Sequence, residues 1–238
     1  MSHLSLLRGV GIPAGKGIIV TPLTVSRIEE IGEENYNGML SVISFKKDSL
    51  GAEAQKLQYS DYEMLIHMAV DNVDLGEILK SALNIFTNKE WFINEYKGLH
   101  YIEDKAVMEI DEETFVAIKN IVQKQNYIND AKKDEFNPAN ERAKKLRERM
   151  NKLKGELQQK NKDNGLNLSD VVSIVSNYSN DINILNVWDL TVYQLYESYL
   201  RIKLWDDFHN NYLHIVHMDD QDRKSMQHWG IPIEKINK

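Results

Sequence analysis

The chain of 238 residues contains no cysteine. Disulfide staples, thiolate metal sites and a cysteine nucleophile are therefore excluded; the absence fits a reducing compartment without requiring one. No window approaches the roughly 18 consecutive apolar residues of a membrane span. The first 17 residues, MSHLSLLRGVGIPAGKG, carry too short an apolar run and no charged leader for a signal peptide. The expectation is a soluble, intracellular protein. Positive charge is in deficit, with 29 Lys and Arg against 36 Asp and Glu, a net charge of −7 and a pI near 5.5. Because phosphate binding is carried by Lys and Arg, this balance argues against nucleic acid or an anionic membrane as the main partner. No internal repeat and no low-complexity tract is present.

The composition is otherwise ordinary for a soluble globular protein, with 42% hydrophobic and 27% charged residues. The length supports a real core, in one domain or two small ones. The strongest helix signal lies between Asn183 and Met218 and holds two of the four tryptophans. Thr191 and Gln194 stand at capping-box spacing. Val192, Leu195, Tyr199, Ile202, Trp205, Phe208, Tyr212 and Ile215 then follow at steps of three or four, the pattern of an apolar helical stripe. Such a stripe reads first as a core face and second as a groove for a partner's helix.

Taken in order, the glycine-rich first twenty residues read as a short strand or a mobile arm. Helices are predicted from Thr24 to Ile31, over Tyr36 to Phe45, from Ser60 to Val70 and from Leu75 to Phe86, with Gly32 ending the first. Leu99 to Ile102 and Ala106 to Ile110 flank a polar turn, which predicts a β-hairpin near residues 99–110. Asp111 is placed to cap a helix through Val122. The polar stretch 129–140 marks a boundary, followed by the charged run 141–162. There Ala143, Leu146, Met150, Leu153 and Leu157 make a heptad-like seam of little more than two repeats. A solvated or partner-binding helix is favoured over a nucleic-acid contact. Ser169 opens a further helix before the long C-terminal one. The expected organisation is 1–130, an N-terminal helical region with the hairpin; 131–163, a charged helix or linker; and 164–238, a C-terminal helical region. The expected fold class is mainly α, a multi-helix protein with one small β-hairpin and a long C-terminal helix.

Chemistry is hard to find. Gly11 to Gly17 has the wrong spacing for a phosphate loop, and no Ser or Thr follows Lys16. His214 and His217 lie three apart near Asp219 and Asp220, but the Glu of a helical metalloprotease motif is missing. Asp206 and Asp207 are adjacent, so on a helix they diverge by about 100°. Glu29, Glu30, Glu33 and Glu34 read as solvated surface. No serine sits in a G-x-S-x-G context. The expectation is a protein without enzymatic activity, cofactor or metal.

Asn186-Val-Trp-Asp-Leu-Thr-Val-Tyr-Gln-Leu-Tyr196, preceded by the Leu166–Tyr178 helix and by Phe136-Asn-Pro-Ala-Asn-Glu-Arg-Ala143, resembles tail-module proteins of phages and prophages of Gram-positive bacteria. The early Pro22-Leu-Thr-Val, Ile28 to Gly32, Tyr36 and a tryptophan-bearing hairpin come in a similar order, so the likeness spans about Pro22 to Trp229. It implies a tail assembly chaperone in the host cytoplasm that binds the helical tape-measure protein, or other tail proteins, with self-association along the client. Leu146, Met150 and Leu153, with Tyr193, Tyr196 and Tyr199, are the candidate partner-binding residues; core packing is the competing reading, favoured for Tyr199. Two alternatives are a structural tail component kept in the virion and a phage regulator that binds a host defence protein.

Overall fold

The structure is a computed structural model that describes residues 2–50, 58–128, 166–213 and 228–232. Among them are eight α-helices and five strands. The helices are α1 (His3–Arg8), α2 (Val25–Ile31), α3 (Glu33–Ile43), α4 (Asp61–Asp71), α5 (Val73–Thr87), α6 (Glu112–Gln125), α7 (Leu168–Tyr178) and α8 (Val192–Leu213). Strands β1 (Ile12–Gly15) and β2 (Ile18–Val20) form one antiparallel sheet; β3 (Trp91–Asn94), β4 (Gly98–Glu103) and β5 (Ala106–Glu109) form another, in that order. The seam at 143–157 lies outside the described residues.

This corrects the expected fold class: the protein is mixed α/β, with two antiparallel sheets instead of one hairpin on a mainly helical body. The hairpin at 99–110 is present, but Trp91–Asn94 adds a third strand, with Trp91 opposite Tyr101 and Asn94 opposite Gly98. The cause is local. Asn94 Oδ1 accepts the amides of Tyr96 and Lys97 at 3.1 and 2.7 Å, and Gly98 supplies φ +59°, so the chain reverses directly into β4. The glycine-rich start likewise folds back on itself. Gly15, Lys16 and Gly17 all hold positive φ, a turn that glycine makes without steric cost. Ile18 and Val20 enter the core while Ile19 points outward, 53% exposed.

Most helix boundaries follow from their caps. Thr24, Ser60 and Asp111 accept backbone amides of α2, α4 and α6. Helix α7 starts one residue earlier than expected, because Asn167 and Asp170 form a reciprocal box. At the start of α8 the Thr191 hydroxyl accepts the Gln194 amide at 3.3 Å, and Gln194 Oε1 accepts the Thr191 amide at 2.8 Å. The remaining Gln194 amide group donates to the Leu7 carbonyl at 2.8 Å, so the same cap fastens α8 to α1.

Among the described residues two apolar clusters fill the interior. The larger gathers Ile18, Val20, Ile43, Leu79, Leu83, Phe86, Trp91, Tyr101 and Ile118 between the sheets and α3 to α6. The smaller joins Val25 of α2 to Val171, Val172, Val175, Val187 and Leu195. Val192 and Tyr193 belong to the larger cluster, so segments 1–130 and 164–238 share both. A fully buried Val or Leu contributes about 1.5–3 kcal/mol, and the buried Val192, Tyr193 and Leu195 make the start of α8 structural.

The remainder of α8 behaves differently. Each residue advances a helix by about 100°, so a step of three falls about 60° short of a turn and a step of four overshoots by about 40°. The apolar residues of α8 step by three more often than by four after Tyr199, so Trp205, Phe208 and Tyr212 sit roughly a third of a turn round from Val192 and Leu195. The single stripe is two faces. Leu195 is fully buried, whereas Trp205 and Tyr212 are 43% and 57% exposed. Among the described residues no helix is long and apolar enough to cross a membrane.

Candidate functional site

Helix α8 is the element around which the described polar chemistry collects. Tyr127, just past the end of α6, holds φ +55° and stacks on Tyr193, with centroids 4.7 Å apart and planes 23° from parallel. Its hydroxyl donates to the carboxylate of Glu197 one turn further along α8. Glu197 is buried; His3 Nε2 lies 3.9 Å and Arg201 Nη2 3.8 Å from it. The Tyr193 hydroxyl shares a hydrogen bond with His3 Nδ1 at 2.9 Å. Helices α1, α6 and α8 therefore meet at one satisfied network, as burial of a carboxylate requires.

Burial pushes the Tyr127 phenol well above its ordinary range, helped by its bond to Glu197 and by Tyr193. Burial also raises Tyr196, with Glu33 and Tyr199 adding to it, and Tyr36, with Tyr196 adding to it. These phenols stay protonated at neutral pH, and those of Tyr36 and Tyr127 serve as donors. Such a cluster holds geometry; it does not supply a base or nucleophile near neutrality.

Beside the network lies a groove of about 580 Å³ lined by Glu33, Tyr36, Asn37, Leu40, Ser44, Asn126 and Tyr196, among others. The Tyr36 hydroxyl donates to Asn126 Oδ1, and the Asn126 amide donates to the Val122 carbonyl at 2.7 Å. Asn126 is thus fixed by the end of α6 and in turn fixes Tyr36.

The outer surface of the α7–α8 region is apolar and stiff. In the connecting loop, Asn183 Oδ1 accepts the Leu185 amide at 2.9 Å, Asn186 Oδ1 accepts the Asn183 amide at 2.8 Å, and the Asn186 amide group donates to the Asp181 carbonyl at 2.9 Å. These asparagine turns lock the loop and hold Ile184 and Leu185 outward, 55% and 86% exposed. Trp188, partly exposed, donates its indole N–H to the Ile184 carbonyl at 2.7 Å. Further along, Tyr178 meets Trp205 edge-on at 6.3 Å, and Trp205 stacks on His209 at 5.0 Å. The Tyr178 hydroxyl donates to Asp206 at 2.9 Å, and that bond raises its pKa.

The sequence-predicted candidates fall in different places. Tyr193 is 7% exposed and part of the larger core. Tyr196 is half-buried, 5.9 Å from Tyr127, and lines the groove. Tyr199 is half-buried against the smaller cluster. Leu146, Met150 and Leu153 lie outside the described residues, as do His214 and His217. Among the described residues no three His, Asp or Glu side chains gather as a metal site would require. Tyr127, Glu197, His3 and Arg201 had no signal in the sequence, since they come from three separate helices or their ends. The apolar Ile184-Leu185 pair among four asparagines and aspartates is the one local pattern that marked the loop.

A search of curated proteins and a search of solved structures find no match. Residues 158–234, about a third of the chain, match the family model described as YomV second domain. That family is of phage and prophage type. The matched segment contains α7, the asparagine-locked loop, all of α8 and the described residues 228–232, so the part of the chain that is similar to a phage-type domain carries the exposed Ile184–Leu185 loop and the Tyr178–Trp205 surface.

Proposed function

We propose that the chain is a non-enzymatic phage tail assembly chaperone that holds helical segments of the tape-measure protein in the host cytoplasm. The observation that carries the reading is the stiff apolar surface of the loop before α8, where Ile184 and Leu185 stand exposed inside the segment similar to a phage-type domain. Exposed apolar groups held rigid by side-chain-to-backbone bonds suit a partner's amphipathic helix, because little ordering entropy remains to be lost on binding. An acidic chain adds selectivity for clients with basic helical flanks.

Co-expression with the tape-measure protein of the same genome tests this. Supported, the client becomes soluble and elutes with the chain, and Leu185→Asp abolishes co-elution while the variant keeps its melting temperature. A client that stays insoluble in the presence of the wild-type chain would refute it. Stoichiometric recovery of the chain from purified particles would make it a structural tail component instead.

A further inference from the structure

The face of α8 that carries Glu197, Arg201 and Phe208 is covered by the chain itself. One guanidinium nitrogen of Arg201, Nη1, donates to the carbonyls of Trp229 and Ile231 at 3.1 and 2.8 Å. Its other terminal nitrogen faces Glu197 at 3.8 Å. The ring of His228 meets Phe208 edge-on, with centroids 5.0 Å apart and planes at 62°. The covering segment is a preformed turn: the Ile231 amide donates to the His228 carbonyl at 3.1 Å, and the Gly230 amide to His228 Nδ1 at 3.0 Å. A Cβ on Gly230 would stand 3.0 Å from that same Nδ1, so a side chain there requires the His228 ring to give by a few tenths of an ångström.

We propose that residues 228–232 form an intramolecular strap, fastened by Arg201, that occludes the Phe208 side of the outer face of α8 and leaves its Trp205 side, beside Tyr178, open. Two carbonyls two residues apart, presented by a turn, are well matched to a single guanidinium nitrogen with two donors, and a planar cation suits carbonyl clamping better than a lysine would. Glu197 holds the guanidinium in place. Because Glu197 also receives Tyr127 and faces His3, the strap is tied to the junction of α1 and α6. A binder of the Phe208 face must displace the turn, so access depends on how often the strap opens. This inference stands on the contacts of the chain with itself and does not rest on the chaperone reading.

The test compares four full-length or shortened forms: the intact chain, Arg201→Gln, Gly230→Ala and a chain ending at Gln227. The readouts are deuterium uptake of peptides covering 199–213 and fluorescence of the apolar probe bis-ANS, with far-UV circular dichroism as a check on folding. Release of the strap predicts faster uptake across 201–212 and several-fold brighter probe fluorescence in the shortened chain and in Arg201→Gln, at unchanged helix content, with a smaller rise in Gly230→Ala. Should the shortened chain fail to fold, the two substitutions decide. Uptake and probe fluorescence equal to those of the intact chain in the folded variants would overturn the strap.

Discussion

The hydroxyl of Tyr127 donates to the carboxylate of Glu197, joining the end of α6 to the second turn of α8. The Tyr127 ring stacks on Tyr193, one turn before Glu197. The contact bridges 70 residues of sequence and lies at the point where α1, α6 and α8 converge.

Removing that donor leaves a buried carboxylate short of one partner. Tyr127→Phe keeps the stack and the volume, so its cost isolates the hydrogen bond, about 1–3 kcal/mol for a bond to a charged acceptor. Urea unfolding gives the value. In the double variant with Glu197→Gln the loss is less than the sum of the two single losses, since the two side chains share one interaction. Additive losses would show that Glu197 draws its support from Arg201 and His3 alone.

The protein loses stability in alkali. Tyr36 and Tyr127 have phenols raised above the ordinary value of 10.0, so the unfolded chain releases its protons first as pH rises. Above about pH 10 the native state binds more protons than the unfolded one, and stability falls with pH. The contribution is fully present below that value. Urea midpoints between pH 8 and pH 11 measure the slope, and Tyr36→Phe with Tyr127→Phe makes it shallower, the raised phenol of Tyr196 keeping part of it.

The two faces of α8 differ sharply in what they tolerate. Leu195→Ala opens a cavity in the smaller core, where Leu195 is fully buried beside Val175 and Val187, and costs about 2–5 kcal/mol. Tyr212→Ala, at a position 57% exposed, changes stability by no more than about 0.5 kcal/mol. Thermal or urea unfolding of both variants checks the division; equal costs would mean that the stripe is buried along its whole length.

Gly76→Ala runs against helix propensity. Alanine is favoured over glycine inside a helix by roughly 1 kcal/mol, yet a Cβ at position 76 of α5 would lie 2.6 Å from the Ala69 carbonyl oxygen of α4. Backbone must shift to admit it, which costs about 1–3 kcal/mol. The variant is therefore less stable than the parent, and a raised melting temperature would show that α4 and α5 separate freely.

Local chemistry was legible in the sequence wherever a helix end or a turn carries its own instructions. Thr24, Ser60 and Asp111 are caps because a short oxygen-bearing side chain can reach amides only three residues on. The Thr191–Gln194 box and the hairpin at 99–110 were readable for the same reason. The third strand at Trp91–Asn94 and the hairpin at Ile12–Val20 were harder to read. A strand is completed by its neighbour, and neither segment is long enough to announce a period of two.

The junction of Tyr127 with Glu197 could not be read at all, because residues 70 positions apart meet only after α6 and α8 have packed on α1. The drift of the apolar residues round α8 is present in the spacing, but what covers each side of the helix is not. The sequence determined a long amphipathic helix, since spacing alone decides which residues share a side. Tertiary packing decided that α7 and the cores cover its first turns, that residues 228–232 cover the Phe208 face, and that Trp205 stays exposed. A periodic pattern states that a face is apolar; what lies against that face is a property of the assembled chain.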